Sequence, residues 1–476
     1  MKMVKSLLLG SAAGLAAVAG AEAADQPGPA KVAEQSVKVC AGHGDGYYYI
    51  PGTRICLKIG GYVREDVYVN AVGVFNPAIS SVAGTIFNGP GGGIGGFPYL
   101  TKDSAHYISR TRVISEIDAR YATDYGDAHA FIRAGAQYDS QSGAGATAGV
   151  VPYIERAFLQ FAGLTTGYTQ SFFDPGRNYM MTTPYAGSST WTALAAYTGR
   201  FGNGLSATIS LEDAANRTTG VMITAPISSA TGITWTDGEA GRSAPEIVSN
   251  LRLDQAWGTA QIAGALHQIY AMTPTPVSNY LGASSMDSWG WAANASAEFK
   301  LPMLAPDDSL ALQVGYADGA PKYLGLSGSS QATATALGSI SLGSLANKPT
   351  GGAFYPIADA IWTGTGYSRE TGWLASGQFR HFWVPGLRSA AYAGYVSVTA
   401  PPNNLNAYDV NVRQVGLNTI WSPMSYLDLG IEVLYSSVDG AVPLKSSGGS
   451  ASTVPTVLYG GSTNVWSGGV RAQLSF

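Results

Sequence analysis

Residues Leu57 to Asn70 read LKIGGYVREDVYVN. Taken two at a time they separate into two rows. One row is Leu57, Ile59, Gly61, Val63, Glu65, Val67 and Val69; the other is Lys58, Gly60, Tyr62, Arg64, Asp66, Tyr68 and Asn70. An extended strand places the rows on opposite faces. The first face is apolar but for one carboxylate, and the second is polar and aromatic. The stretch is long for a strand of a soluble protein and has the length a tilted strand needs to cross a bilayer.

The same split recurs along the chain. Trp289, Trp291, Ala293, Ala295, Ala297 and Phe299 alternate with Asn294, Ser296, Glu298 and Lys300. Leu427, Leu429, Ile431, Val433 and Tyr435 oppose Asp428 and Glu432, and Leu205, Ala207, Ile209 and Leu211 oppose Ser206, Thr208, Ser210 and Glu212. Apolar rows begin or end in rings (Trp289, Phe299, Trp373, Trp383, Tyr435, Trp466), as the aromatic girdles of membrane barrels do. A soluble β-sandwich also alternates, but its strands are shorter and its linkers do not alternate long with short. Here they do. Short turns near 123–127, 163–166, 201–204, 255–258, 302–308, 384–386 and 422–425 interleave with long connections rich in Gly, Ser and Pro. The long ones lie near 71–106, 140–152, 174–190, 214–244, 271–288, 318–369, 400–410 and 438–464. The expected fold is all-β: a membrane-spanning antiparallel barrel of about sixteen strands over 57–476, with short periplasmic turns and long outer loops. That size leaves an aqueous lumen.

Composition agrees. The 476 residues include 61 Gly and 27 Tyr, only 12% are charged, and 46% are hydrophobic. The mean hydropathy of +0.07 is too low for a helical membrane protein, and disordered chains are poorer in aromatics. Two uncharged stretches, 178–199 and 325–346, are dominated by Gly, Ser and Thr or broken by Pro184, and lack the run of about 20 strongly apolar residues a spanning helix needs. Lys2 and Lys5, the apolar Leu7–Gly20 and the small-residue motif Ala21-Glu22-Ala23 read as a secretory signal peptide over 1–23. Its removal takes the net charge from −4 to −5, which speaks against nucleic acid as a partner. Cys40 and Cys56 are the only cysteines. In an oxidising compartment the preferred reading is one disulfide closing the N-terminal segment 24–56; two separate thiols are the alternative.

Three stretches resemble the alphaproteobacterial porin family. The first runs from Lys38-Val39-Cys40 through Gly46-Tyr47-Tyr48-Tyr49-Ile50-Pro51-Gly52-Thr53 to Cys56-Leu57-Lys58-Ile59-Gly60-Gly61-Tyr62-Val63-Arg64. The second is Arg156-Ala157-Phe158-Leu159-Gln160-Phe161-Ala162-Gly163-Leu164-Thr165, and the third Gln170-Ser171-Phe172-Phe173-Asp174. The resemblance implies a sixteen-stranded homotrimer in the bacterial outer membrane, among its lipid and lipopolysaccharide, forming a passive pore for small polar solutes. It also implies that the third loop, about 174–190, folds into the lumen. This loop departs from an acidic constriction loop: its only charges are Asp174 and Arg177. The terminal row Trp466, Gly468, Val470, Ala472, Leu474 and Phe476 resembles the signal read by the barrel-assembly machinery, with Phe476 as its last residue.

The expected pore-lining set is basic. Arg110, Arg112 and Arg120 share a face with Glu116 and Asp118 in the second strand. Arg64, Arg133 and Arg156 project from the first, third and fourth, and Asp174 and Arg177 join from loop three. Such a wall orients dipolar solutes. Other chemistry finds little support. Gly91-x-Gly93-x-x-Gly96 matches a dinucleotide fingerprint in letters but has no strand before it and no helix after it. His43, His106, His129, His267 and His381 show no metal-ligand spacing, so no metal or cofactor is expected. No Gly-x-Ser-x-Gly elbow stands out, so catalysis is not expected. The rivals to a general pore are a solute-specific channel of the same architecture and, further off, an outer-membrane lipid hydrolase.

Overall fold

The computed structural model describes residues 38–40, 42–69, 71–72, 76–77, 79–80, 108–140, 149–224, 235–274, 281–326, 339–342, 353–363, 365–402, 409–440 and 462–476. The expected signal peptide, the glycine cluster at 91–96 and His106 lie outside these residues.

Sixteen strands build the wall. They are β1 (Cys56–Val69), β2 (Ile108–Thr123), β3 (Gly126–Asp139), β4 (Gly149–Phe161), β5 (Leu164–Gln170), β6 (Trp191–Gly202), β7 (Leu205–Glu212) and β8 (Glu246–Gln255). Then follow β9 (Gly258–Pro274), β10 (Leu281–Lys300), β11 (Ser309–Asp318), β12 (Thr371–Val384), β13 (Leu387–Thr399), β14 (Val410–Met424), β15 (Leu427–Gly440) and β16 (Ser462–Ser475). Each pairs antiparallel with the next, and β16 returns to β1 from Tyr62↔Ser475 to Val69↔Gly468, closing the barrel. Closure matters because an open edge would leave unpaired backbone groups in hydrocarbon.

Register follows from the two-row pattern and from tight turns. Asn203 and Gly204 link β6 to β7 with φ of +49° and +74°, the left-handed pair a two-residue hairpin requires. A Cβ on Gly204 would lie 1.8 Å from the Asp254 carbonyl oxygen, so the approach of β8 also demands glycine. The apolar rows face outward: Val63, Ile117, Ile209, Ile262, Val314, Leu417 and Ile431 are all exposed on the barrel's outer surface, where lipid covers them.

The lumen is not uniformly polar. Inward residues of β8–β14, among them Val248, Ala265, Ala292, Leu374, Val396 and Val412, form a buried apolar cluster. Loop 3 (171–190) contributes Phe173, Tyr185 and Ala186 to it, and loop 6 (319–370) contributes Tyr323, Leu324, Leu326 and Ile357. Loop 4 (213–245) joins loop 6 through a small sheet in which Val221–Thr224 pairs with Ala360–Trp362. One side of the barrel interior is therefore packed with loop, and the charged β1–β4 side borders it.

Candidate pore constriction

Loop 3 leaves the wall after β5, and its backbone is held by side chains from the far strands. Asn250 of β8 and Gln261 of β9 donate to the Phe172 carbonyl, and Asn294 of β10 donates to that of Phe173. Gln378 of β12 accepts from the Tyr179 amide at 2.7 Å. Glu432 of β15 accepts from the amides of Met181 and Thr182 and from the Thr182 hydroxyl, at 2.5, 3.1 and 2.6 Å. Gln414 of β14 accepts from the Tyr185 amide, and Arg471 of β16 donates to the Met181 carbonyl. The tip packs Met181 against Tyr68 and Ile108. Loop 3 thus crosses the barrel from β5 to β16, along the packed side.

The charges of loop 3 are both engaged. Arg177 pairs with Glu298 at 2.6 Å. Asp174, expected to line the pore, is instead fully buried: it pairs with Arg217 of loop 4 at 2.9 Å and accepts from the Ser188 hydroxyl and the Thr190 amide. A carboxylate so enclosed presents no charge to a solute.

The six arginines expected on the wall all lie on the inward rows of β1–β4, and ladder register brings them together. Arg64 stands opposite Arg112, Glu116 opposite Arg133, and Arg133 opposite Arg156. Their partners differ. The Arg64 and Arg471 Nε atoms share Asp66 at 2.9 and 2.5 Å. Arg133 lies 3.6 Å from both Glu116 and Glu155, and Tyr62 donates to Glu155 at 3.0 Å. Arg112 donates to Gln137 and lies 4.0 Å from the centre of the Tyr153 ring. Arg156 lies 4.4 Å from the Trp191 ring. Arg120 and Asp118 pair at 3.0 Å near the turn end, with Tyr47 above them accepting from Arg120 at 3.1 Å. Arg110 departs from a lumenal role: it is 3% exposed and gripped by both oxygens of Asp139, at 2.5 and 2.9 Å, so its charge is cancelled inside the wall.

Sequence reasoning missed Arg217, Glu155 and Glu432. Loop 4 carries two cations, Arg217 and Arg242, among several acids, and nothing in the local sequence marks Arg217 as the one that is buried. Cys40 and Cys56 are joined in a disulfide with Cα atoms 6.0 Å apart. Burial pushes the Tyr47 hydroxyl of this hairpin above its usual range. Phe476 exchanges backbone hydrogen bonds with Gly61 at 3.0 Å and leaves its ring 66% exposed. Among the described residues no cluster of His, Cys, Asp and Glu could hold a metal ion.

An even, closed antiparallel barrel with an apolar outer band, short turns on one rim and an inserted third loop is the architecture of bacterial outer-membrane porins. The chain belongs to the porin subfamily, whose family model matches residues 25–466, and it is a β-barrel of the bacterial outer membrane. It is 31% identical over 268 residues to porin Omp2b of Brucella melitensis biotype 1, a match covering 55% of this chain and 65% of that one. Porin Omp2b of Brucella suis biovar 1 is 30% identical over the same shares. The chain thus spans just under two thirds of the length of these curated relatives. Among solved structures, the outer membrane channel DcaP of Acinetobacter baumannii superposes with a TM-score of 0.54, covering 90% of this chain and 99% of that one, at 16% identity. That likeness concerns the fold.

Proposed function

We propose that the protein is a passive, water-filled channel through which small hydrophilic solutes and ions diffuse, with no catalytic step and no cofactor. It works as a homotrimer, inserted by the barrel-assembly machinery and bordered by lipid and lipopolysaccharide. The observation that carries this reading is the division of the lumen. Loop 3 is tied to β8–β10 and β12–β16, while the opposite wall keeps charges in contact with water, with Arg120, Glu116 and Arg133 side chains 32%, 31% and 26% exposed. Charged groups that stay wet inside a barrel mark the path a hydrated solute takes.

Planar lipid bilayers test it. Purified protein should give stepwise, ohmic conductance, with steps grouped in threes. Protein that inserts and never conducts refutes the channel; single, ungrouped steps refute the trimer.

A further inference from the structure

Across the lumen from the arginine wall, the inward rows of β10–β12 present amides and hydroxyls between loop 3 and the short turns. Ladder register sets Ser296 of β10 across from Gln313 of β11, and Gln313 across from Ser376 of β12. The three groups stand on neighbouring strands, about 4.8 Å apart. One row nearer the short turns, Gln378 of β12 faces the same space, which Pro175 and Arg177 of loop 3 complete as a recess of about 400 Å³. A wider space of about 840 Å³, also lined by Arg177 and Glu298, continues toward the turns past Asp254, Gln255 and Lys300.

The charges of the recess are spent on one another. Arg177 pairs with Glu298 at 2.6 Å, the second oxygen of Glu298 accepts from the Tyr179 hydroxyl at 2.5 Å, and Arg252 pairs with Asp254 at 2.9 Å. What remains free is neutral. Gln313 is 7% exposed, and its buried Nε2 has no hydrogen-bond partner among the described residues. The Ser296 and Ser376 hydroxyls have none among them either. Gln378 uses its carbonyl on the Tyr179 amide and keeps its own donors. Loop 3 passes over this row with Gly187, where a Cβ would lie 3.2 Å from Gln313 Oε1 and 3.9 Å from Ser376 Oγ, so glycine leaves both uncovered by a side chain. A buried amide without a partner is costly, and a native fold keeps few of them.

We propose that this recess binds a neutral polyhydroxylated solute, a sugar or polyol, between loop 3 and the wall. The site rests on the channel reading and names one class of solute within it. Amides and hydroxyls set donors and acceptors side by side, and each sugar hydroxyl uses both. An anion would find no uncompensated cation here, and a cation no uncompensated carboxylate. Pro175 and Ala311 add apolar surface for the C–H face of a ring. A few fixed polar groups on such a surface are what orients a small ligand.

The test uses the full-length protein. In planar bilayers, glucose or maltose should reduce the wild-type current saturably. Gln313→Leu and Ser376→Ala should each raise the half-blocking concentration several-fold, every variant read against its own sugar-free current. Thermal unfolding gives a second reading: maltose should raise the wild-type midpoint and shift that of Gln313→Leu less. Should Gln313→Leu fail to fold, Ser376→Ala carries the same comparisons. A current that falls only as the solution thickens, or half-blocking concentrations and midpoint shifts equal in wild type and variants, overturn the site and leave the channel standing. Absence of conductance would remove the channel itself, while the midpoint shift would still report on the site.

Discussion

Arg217 of loop 4 pairs with Asp174 of loop 3 at 2.9 Å, and neither side chain is exposed. The guanidinium also donates to Ser188 and lies 4.2 Å from the Tyr323 ring of loop 6. One residue therefore joins three loops. Arg217→Met keeps most of the volume but leaves Asp174 as a buried charge without its cation, a loss worth roughly 3–5 kcal/mol in comparable pairs. The expected outcome is a lower unfolding midpoint and a noisier open-channel current as loop 3 loosens. A melting curve and a current spectrum equal to wild type would show that the pair does not hold the loop.

Arg110 and Arg112 are neighbours on one strand face with different partners, Asp139 for Arg110 and Gln137 for Arg112. Arg110 is locked to Asp139, so Arg110→Ser should lower stability by roughly 3–5 kcal/mol and leave the reversal potential near wild type. Denaturant midpoint and bilayer recordings on the same preparation check both halves. A large selectivity shift with unchanged stability would put Arg110 back on the solute path.

Strand order was legible because lipid imposes a period of two on every spanning segment, as in Leu57–Val69, and because Asn203-Gly204 and similar pairs mark the tight turns. The constriction was legible only in part. The alternation that put Arg64, Arg112, Arg133 and Arg156 inward says nothing of partners. Asp139 meets Arg110 only through the β2–β3 register. The fixing of loop 3 depends on Glu432, which holds Met181 from 251 residues away, a distance at which no local pattern operates. The filled side of the lumen was hidden for another reason: in β13 and β14 the inward Val396, Val398 and Val412 are as apolar as an outward row, and only loops folding back reveal what they face.

The Cys40–Cys56 disulfide should contribute stability without contributing to closure. The ladder between β1 and β16 begins at Tyr62, beyond the bridged hairpin. Replacing both cysteines by serine frees a loop of about 15 residues in the unfolded chain, worth about 3 kcal/mol in the chain-entropy picture. The double variant should unfold at a lower guanidinium concentration yet conduct with wild-type selectivity, and dithiothreitol should shift the wild-type midpoint in the same direction. Loss of selectivity would mean that the hairpin, through Tyr47 and Arg120, shapes the solute path.

Lys322 lies buried in loop 6 and donates to the Leu326 carbonyl at 3.2 Å. Burial, with Arg217 nearby, pushes its ammonium down to about 7 from the ordinary 10.5. Between those values the unfolded chain binds more protons than the folded one, so stability rises with pH across the window and falls as pH drops from 10.5 to 7. Below about 7 the folded protein carries the buried charge and the full cost with it. Lys322→Met removes that cost. The variant should therefore exceed wild type in thermal midpoint most at pH 6, and its advantage should shrink steadily toward pH 10. A pH-independent difference would indicate a packing effect of the methionine, and a variant less stable than wild type at pH 6 would show that the Lys322 ammonium, bonded to Leu326, holds loop 6 in place.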